Sequence, residues 1–356
     1  MKVMIAAGGT GGHIYPALAL AECIKKEEPA AEIIFFGSDN RMEAKIIPDA
    51  GYRFYGVSMS GMNGGITAKA SSLLSLIKAE GDCRKILKKE KPDICIGFGN
   101  YISVPLIKAA HMAKIPTMIH EQNSFAGKAN RYLAKYADAI VGCYPSNLEQ
   151  FPAEKTRLYG NPEATIASQT SWDDTVLAEL GLDPKIPFVV FMMGSLGSSS
   201  VSEVIDHALP LLKEGYQVVV AAGKANDYTF QTASNERIKI VPYVNGKMML
   251  KGCALAVLRA GATTMAEICA IGTPSILVPS PYVPNNHQYH NAMELVNAGA
   301  AAMIEEKDLN TQTLAETINN LMDDPAERET MHQNALKLGR GDAAANMISW
   351  IKELVK

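Results

Sequence analysis

Short β-branched runs recur along the chain, separated by longer stretches whose apolar positions fall three or four residues apart. The runs lie near 3–7, 33–37, 54–58, 94–98, 117–121 and 139–143, then near 188–193, 217–223, 238–244, 255–261, 274–280 and 301–306. Between them, 16–26, 104–113, 201–212 and 264–270 carry helical periodicity. Strand–helix alternation predicts parallel sheets with helices on both faces. Two sets of about six strands predict an α/β chain of two doubly wound, Rossmann-like domains, each with a ligand crevice at the carboxyl ends of its strands. The boundary falls near Gly160-Asn161-Pro162, giving domains of 1–159 and 160–341, with a closing helix over 342–356. Asp342 suits its N-cap. The stretch 165–187 is polar and strand-poor and reads as a linker or a lead-in to the second domain.

Composition sharpens this picture at a few points. At 356 residues the chain has the length of two ordinary domains. Nowhere do eighteen apolar residues run together, so no spanning helix is expected. The first residues lead straight into a strand, which leaves no room for a signal peptide. The cysteines at 23, 83, 95, 143, 253 and 269 lack paired spacing, which argues against disulfides and zinc and for a reducing setting. Residues 1–159 hold 20 Lys+Arg against 15 Asp+Glu, whereas 160–356 hold 14 against 22. That asymmetry hints that the first half meets something anionic.

The chemistry concentrates where strands give way to helices. Gly8-Gly9-Thr10-Gly11-Gly12-His13 follows the first strand, with Pro16 placed to open a helix. Such glycines let backbone N–H groups point at an anion, and the helix N-terminus adds partial positive charge. The spacing is not GxGxxG, because Ile14 holds the last glycine's place, which disfavours a dinucleotide site. His13 closes the loop either as a general base or as a structural hydrogen-bonder. Three more glycine loops, at 97–101, 194–198 and 259–264, occupy equivalent junctions, so phosphates are expected to be gripped from both domains. Glu267 either caps its own helix or accepts hydrogen bonds from a ribose. His120-Glu121-Gln122-Asn123 offers four hydrogen-bonding side chains suited to a sugar. The stretch 279–291 reads as an ordered polar loop, and His287 with His290 lacks the further ligands a metal needs.

GGTGGH at 8–13, HEQN at 120–123, GNP at 160–162, RAGATTMAE at 259–267 and HQYHNA at 287–292 resemble, in order and spacing, the MurG glycosyltransferases over essentially the whole chain. The resemblance implies the GT-B fold, with two doubly wound domains facing each other across a cleft. It also implies inverting transfer of GlcNAc from UDP-GlcNAc to undecaprenyl-diphosphate-linked muramoyl pentapeptide at the cytoplasmic face of the bacterial membrane. Neither metal, cofactor nor nucleic acid is implied. Carried over, the donor would be met by Thr10, Gly11, Gly12, Asn123, Ser195, Tyr243, Val244, Ala262, Thr263, Thr264, Glu267 and Gln288. Of these, Asn123 and Gln288 would hold the sugar, Ser195 and 262–264 the phosphates, Tyr243 and Val244 the uracil, and Glu267 the ribose. Gly9, Gly99, Asn100 and Tyr101 would meet the acceptor, and His13 would be the catalytic base.

Several positions depart from the family pattern: Ala164 stands where an arginine is usual, Met193 and Leu196 alter the second loop, and Asn100 replaces a glycine. Ser60-Gly61-Met62-Asn63 lacks that segment's usual basic residue. The alternatives are a related transferase with another acceptor, a UDP-GlcNAc 2-epimerase-like isomerase, and a binding-only relative. A helical pattern over 66–91, with Leu73, Leu74, Leu76 and Ile77 followed by Lys78, Arg84, Lys85, Lys88, Lys89 and Lys91, is expected to dock peripherally on an anionic membrane.

Overall fold

The computed structural model describes residues 1–59, 66–194, 198–223 and 227–356, with side chains left aside over 66–73. The chain divides into two compact units, Met1–Thr165 with Gly341–Lys356, and Ile166–Arg340.

The first unit runs β1 (Lys2–Ala6), α1 (Gly11–Glu27), β2 (Glu32–Ser38), α2 (Glu43–Asp49), β3 (Arg53–Val57), α3 (Ile66–Glu90), β4 (Ile94–Gly97) and α4 (Ser103–Met112). It continues through β5 (Thr117–Glu121), α5 (Lys128–Leu133), β6 (Ala139–Gly142), α6 (Asn147–Gln150) and β7 (Thr156–Leu158), and α7 (Pro162–Ser168) crosses the division. The strands form one parallel sheet in the order β3-β2-β1-β4-β5-β6-β7. Ile5 sits in register with Phe35 on one side and Ile96 on the other. Because alternate residues point to opposite faces, Val3, Ile5 and Phe35 pack against Ile14, Leu20 and Ile24 of α1. Met4, Ile34 and Phe36 pack with Ala79, Cys83 and Leu87 of α3 and Leu106 of α4. Each fully buried aliphatic of this kind contributes about 1.5–3 kcal/mol.

The second unit runs α8 (Thr175–Glu179), β8 (Phe188–Met192), α9 (Ser199–Ala208), β9 (Gln217–Ala221), β10 (Ile238–Val241), α10 (Gly246–Gly252), β11 (Leu255–Leu258) and α11 (Ala262–Ile271). It ends with β12 (Ser275–Leu277), α12 (His287–Asn297), β13 (Ala301–Met303), α13 (Thr311–Asp323) and α14 (Pro325–Leu338). Its parallel sheet has the order β10-β9-β8-β11-β12-β13. The last helix, α15 (Ala343–Leu354), returns to the first unit and buries Met347, Ile348, Trp350 and Ile351 in the core beside α1. In both sheets the strand order reverses at one place, between β1 and β4 and between β8 and β11. Ligands of such sheets bind outside the carboxyl ends at that reversal.

Three expectations need correction, and a fourth takes a definite form. Helix α1 begins at Gly11, so Pro16 lies inside it. The proline forfeits only the bond to the Gly12 carbonyl, and Gly12 is solvent-exposed. Strand β7 escaped the periodicity because it is three residues long and its Arg157 faces solvent. The stretch 165–187, read as a linker or lead-in, carries the end of α7 and all of α8. Residues 287–291 are helical: Asn285 and Asn286, at φ of 55° and 49°, turn the chain sharply into α12. Its Ala292 and Leu295 are then buried.

Candidate active site

In the first unit three loops converge at the strand reversal. Thr10 is extended and serves as the N-cap of α1, whose first turn is Gly11-Gly12-His13. The His13 ring is half-buried, and its Nδ1 lies 2.9 Å from Thr10 Oγ1. When Nδ1 carries the proton and donates to Thr10, Nε2 presents a lone pair. Gly99, at φ +84°, backs the ring: a Cβ there would come within 3.2 Å of His13 Cδ2 and 3.4 Å of Asn130 Nδ2. Gly9, at φ +82°, is equally constrained, because its Cβ would strike Asn100 Nδ2 at 2.1 Å. Asn100 itself adopts φ +62°, a conformation asparagine tolerates better than most residues. Its Oδ1 accepts from the Tyr101 amide at 2.6 Å, and the Ser103 hydroxyl donates to the Gly99 carbonyl at 2.6 Å.

The glycine loop is not the open row of donors that its sequence suggests. The Gly9 amide donates to Glu43 Oε2 at 3.0 Å, and the Ser38 amide donates to Glu43 Oε1 at 3.1 Å. Glu43 is fully buried, so a carboxylate stands directly behind the loop.

The 120–123 segment also differs from its reading as a set of sugar ligands. His120, Glu121 and Gln122 are buried and hold neighbouring loops. His120 Nε2 lies 3.0 Å from the Gly160 carbonyl, and its ring stacks on Phe98 with centroids 5.0 Å apart. Burial pushes the imidazole pKa down to about 4; the Gly160 bond raises it less, and the nearby His13 lowers it further. The imidazole is therefore neutral at ordinary pH, and its Nε2–H donates to Gly160. Glu121 accepts from the amides of Asn123 and Gly127 at 3.0 and 2.9 Å and from Asn130 Nδ2 at 2.9 Å. Gln122 Nε2 donates to the Phe98 carbonyl at 2.9 Å. Only Asn123 is half-exposed, with its Nδ2 3.2 Å from Glu121 Oε1. These contacts put side chains inward because β5 is a central strand with no solvent face.

In the second unit, Gly261 is the N-cap of α11 and supplies no side chain to it. The first-turn amides of Ala262, Thr263 and Thr264 are thus left without intrahelical acceptors. Beside them Thr263 Oγ1 is buried without a hydrogen-bond partner. Glu267 Oε1 lies 3.3 Å from Lys247 Nζ of α10. Tyr243 is largely exposed, while the Val244 side chain is buried in the core, which leaves its backbone for any ligand. Gln288 Oε1 accepts from the Ser280 amide at 2.9 Å, holding the preceding loop to α12. Ser195 and Leu196 lie outside the described residues, as do Ser60, Gly61, Met62 and Asn63.

Two residues here take roles that the sequence reading did not assign. Arg259 ties three strand ends together, donating to Glu306 Oε2 at 2.6 Å, the Val278 carbonyl at 3.1 Å and Ser198 Oγ at 3.0 Å. Lys247 was one lysine among many until folding set it against Glu267.

The glycosyltransferase family 28 N-terminal domain model matches residues 3–141, and the family 28 C-terminal domain model matches residues 188–347. A Pediococcus pentosaceus protein named UDP-N-acetylglucosamine–N-acetylmuramyl-(pentapeptide) pyrophosphoryl-undecaprenol N-acetylglucosamine transferase is 38% identical over 100% of both chains. A Lactiplantibacillus plantarum protein of the same name is 39% identical, again over 100% of both. The crystal structure of Acinetobacter baumannii MurG superposes with a TM-score of 0.77 at 25% identity, covering 99% of each chain. This chain belongs to the MurG family of glycosyltransferases.

Its two parallel α/β units are those of the GT-B fold. The same architecture occurs in a putative UDP-N-acetylglucosamine 2-epimerase from Listeria monocytogenes, with a TM-score of 0.70 at 15% identity over 99% and 96% of the two chains. At that distance only the fold is shared. Ala164, two residues beyond Pro162 of the GNP turn, is buried.

Proposed function

We propose that this chain transfers N-acetylglucosamine, with inversion, from UDP-N-acetylglucosamine to an undecaprenyl-diphosphate-linked N-acetylmuramoyl pentapeptide, making a cell-wall precursor. The observation that carries the donor half is the N-terminus of α11: uncapped first-turn amides beside a buried, unpartnered Thr263 hydroxyl. A diphosphate satisfies both, and the helix dipole favours its charge. The second unit is the donor-binding unit in this reading. Ala262, Thr263 and Thr264 receive the phosphates, Glu267 the ribose, Val244 and Tyr243 the uracil, and Gln288 with Asn123 the sugar. Ser195 is assigned to donor phosphate by family likeness alone.

The first unit binds the acceptor through Gly99, Asn100 and Tyr101 around His13. His13 Nε2 takes the proton of the acceptor hydroxyl as its oxygen bonds to the anomeric carbon. The bond from that carbon to the UDP oxygen breaks on the opposite side, and the charge left on UDP rests on the α11 amides. Supplying this field by backbone dipoles lets the leaving group depart without a divalent cation.

An acceptor anchored in lipid calls for a membrane-facing surface. On α3, Leu74 and Ile77 are 68% and 59% exposed, and Lys78, Lys85, Lys88 and Lys89 share the solvent side. Leu76, grouped with them from the sequence, is instead buried in the core, and the Leu73 side chain lies outside the described residues. Leucine and isoleucine flanked by lysines support peripheral, reversible docking on anionic lipid. Among the described residues no helix is long and apolar enough to cross a membrane.

Incubation with UDP-N-acetylglucosamine, with and without the lipid acceptor, tests the reading. UDP released only when acceptor is present is expected. UDP release without acceptor would indicate hydrolysis, conversion of the donor to an isomeric UDP-sugar without release an isomerase, and neither change a binding-only protein.

A further inference from the structure

We propose that Arg41 is an anion-binding residue of the acceptor pocket, taking phosphate oxygens of the acceptor's diphosphate. This rests on the acceptor assignment just made.

A cavity of about 490 Å³ opens beside the first glycine loop, lined by Gly9, Asn40, Arg41 and Met42. One donor of the loop is already used. Its Gly9 amide donates to the buried Glu43 side chain, which leaves the first-turn amides of Gly11 and Gly12 at the uncapped start of α1. The positive charge at the cavity belongs to Arg41, which has no carboxylate partner among the described residues. Its guanidinium acts on Tyr101: burial raises that phenol's pKa, and the Arg41 charge pulls against the rise. Arg41 therefore lies within electrostatic reach of Tyr101, which is carried by a different loop.

The backbone that carries Arg41 is well held. The Arg41 and Met42 carbonyls accept from the Ala44 and Lys45 amides at 3.0 and 3.2 Å, and Ser38 Oγ donates to Asn40 Oδ1 at 2.9 Å. A guanidinium on such a base offers forked donors matched to phosphate oxygens. Met42, 46% exposed, adds an apolar wall to the same cavity, as a diphosphate joined to a polyprenyl chain requires.

The test uses the full chain and the variants Arg41→Ala and Arg41→Lys. In calorimetric titrations, geranyl diphosphate binds the wild type, binds Arg41→Ala about 10–100-fold more weakly, the range for hydrogen bonds to charged groups, and recovers partly with Arg41→Lys. In steady-state transfer the acceptor KM rises by the same factor, while the KM for UDP-N-acetylglucosamine stays within about twofold. Circular dichroism melting confirms that the variants are folded. Unchanged geranyl diphosphate binding, or a loss confined to UDP-N-acetylglucosamine, overturns the proposal. Weakening instead toward a diphosphate-free muramoyl pentapeptide also overturns it, because the anion would then be a peptide carboxylate. Wild-type failure to turn over counts against the functional reading, and the titration still decides the role of Arg41.

Discussion

His120 should make the first unit sensitive to mild acid. Its imidazole is fully buried, and its pKa falls from 6.5 to about 4, mainly through burial. The unfolded chain protonates this group near its ordinary value, whereas the folded chain resists until far lower pH. Stability from keeping it neutral is complete above the unfolded pKa and drains away as pH falls from about 6.5 toward 4. The gap corresponds to on the order of 3 kcal/mol at full titration, and to about 2 kcal/mol at roughly pH 5. His120→Gln isolates this effect, because glutamine can keep an N–H donor toward the Gly160 carbonyl but does not titrate. Urea unfolding is followed by the fluorescence of Trp350, which lies in the first unit's core, in a background where Trp172 is replaced by phenylalanine. From pH 7 to pH 5, the His120 protein should lose about 2 kcal/mol more than the glutamine variant. Asp206 does not confuse the comparison. Despite burial that would raise its pKa, bonds from Thr232, Gln231 and Tyr228 hold its carboxyl below the usual aspartate value, so its contribution fades only in stronger acid. Equal losses in the two proteins would refute the reasoning, since His120 would then be able to charge in the folded state.

Four further outcomes follow from the same geometry. His13→Ala should lower kcat by about 10²–10⁴-fold with little change in UDP affinity; near-normal turnover would make His13 a loop-stabilising residue. UDP should bind equally well in EDTA and in magnesium, and loss of titration heat on chelation would end the helix-dipole account. Leu74→Ser with Ile77→Ser should abolish co-sedimentation with anionic vesicles at low salt without lowering the melting temperature, whereas Leu76→Ser should destabilise the fold by about 2–5 kcal/mol. Restoring the family arginine by Ala164→Arg should cost stability, typically 1–3 kcal/mol for overpacking, and should not tighten UDP-N-acetylglucosamine binding measured by calorimetry.

The strand–helix alternation, the doubly wound class and the glycine loops at strand ends were all legible in the residues. Buried parallel strands need continuous apolar runs, and tight strand-to-helix turns need glycine, so both leave local marks. The family was legible because its motifs keep their order and spacing. What a side chain points toward left no such mark. Nothing in HEQN says that His120, Glu121 and Gln122 turn inward to tie Gly160, Gly127 and Phe98; that follows from β5 lying inside the sheet. Nothing in the first glycine loop says that Glu43, thirty-four residues on, takes the Gly9 amide. Likewise Leu74 and Leu76 look alike in a helical run, and only the packing of α3 on the sheet sends one to solvent and the other to the core. Local sequence determines backbone preference and periodicity, which act over a few residues. Which hydrogen-bonding groups are spent on the fold and which are left for a ligand is decided by contacts between distant segments, and only the tertiary structure brings those together.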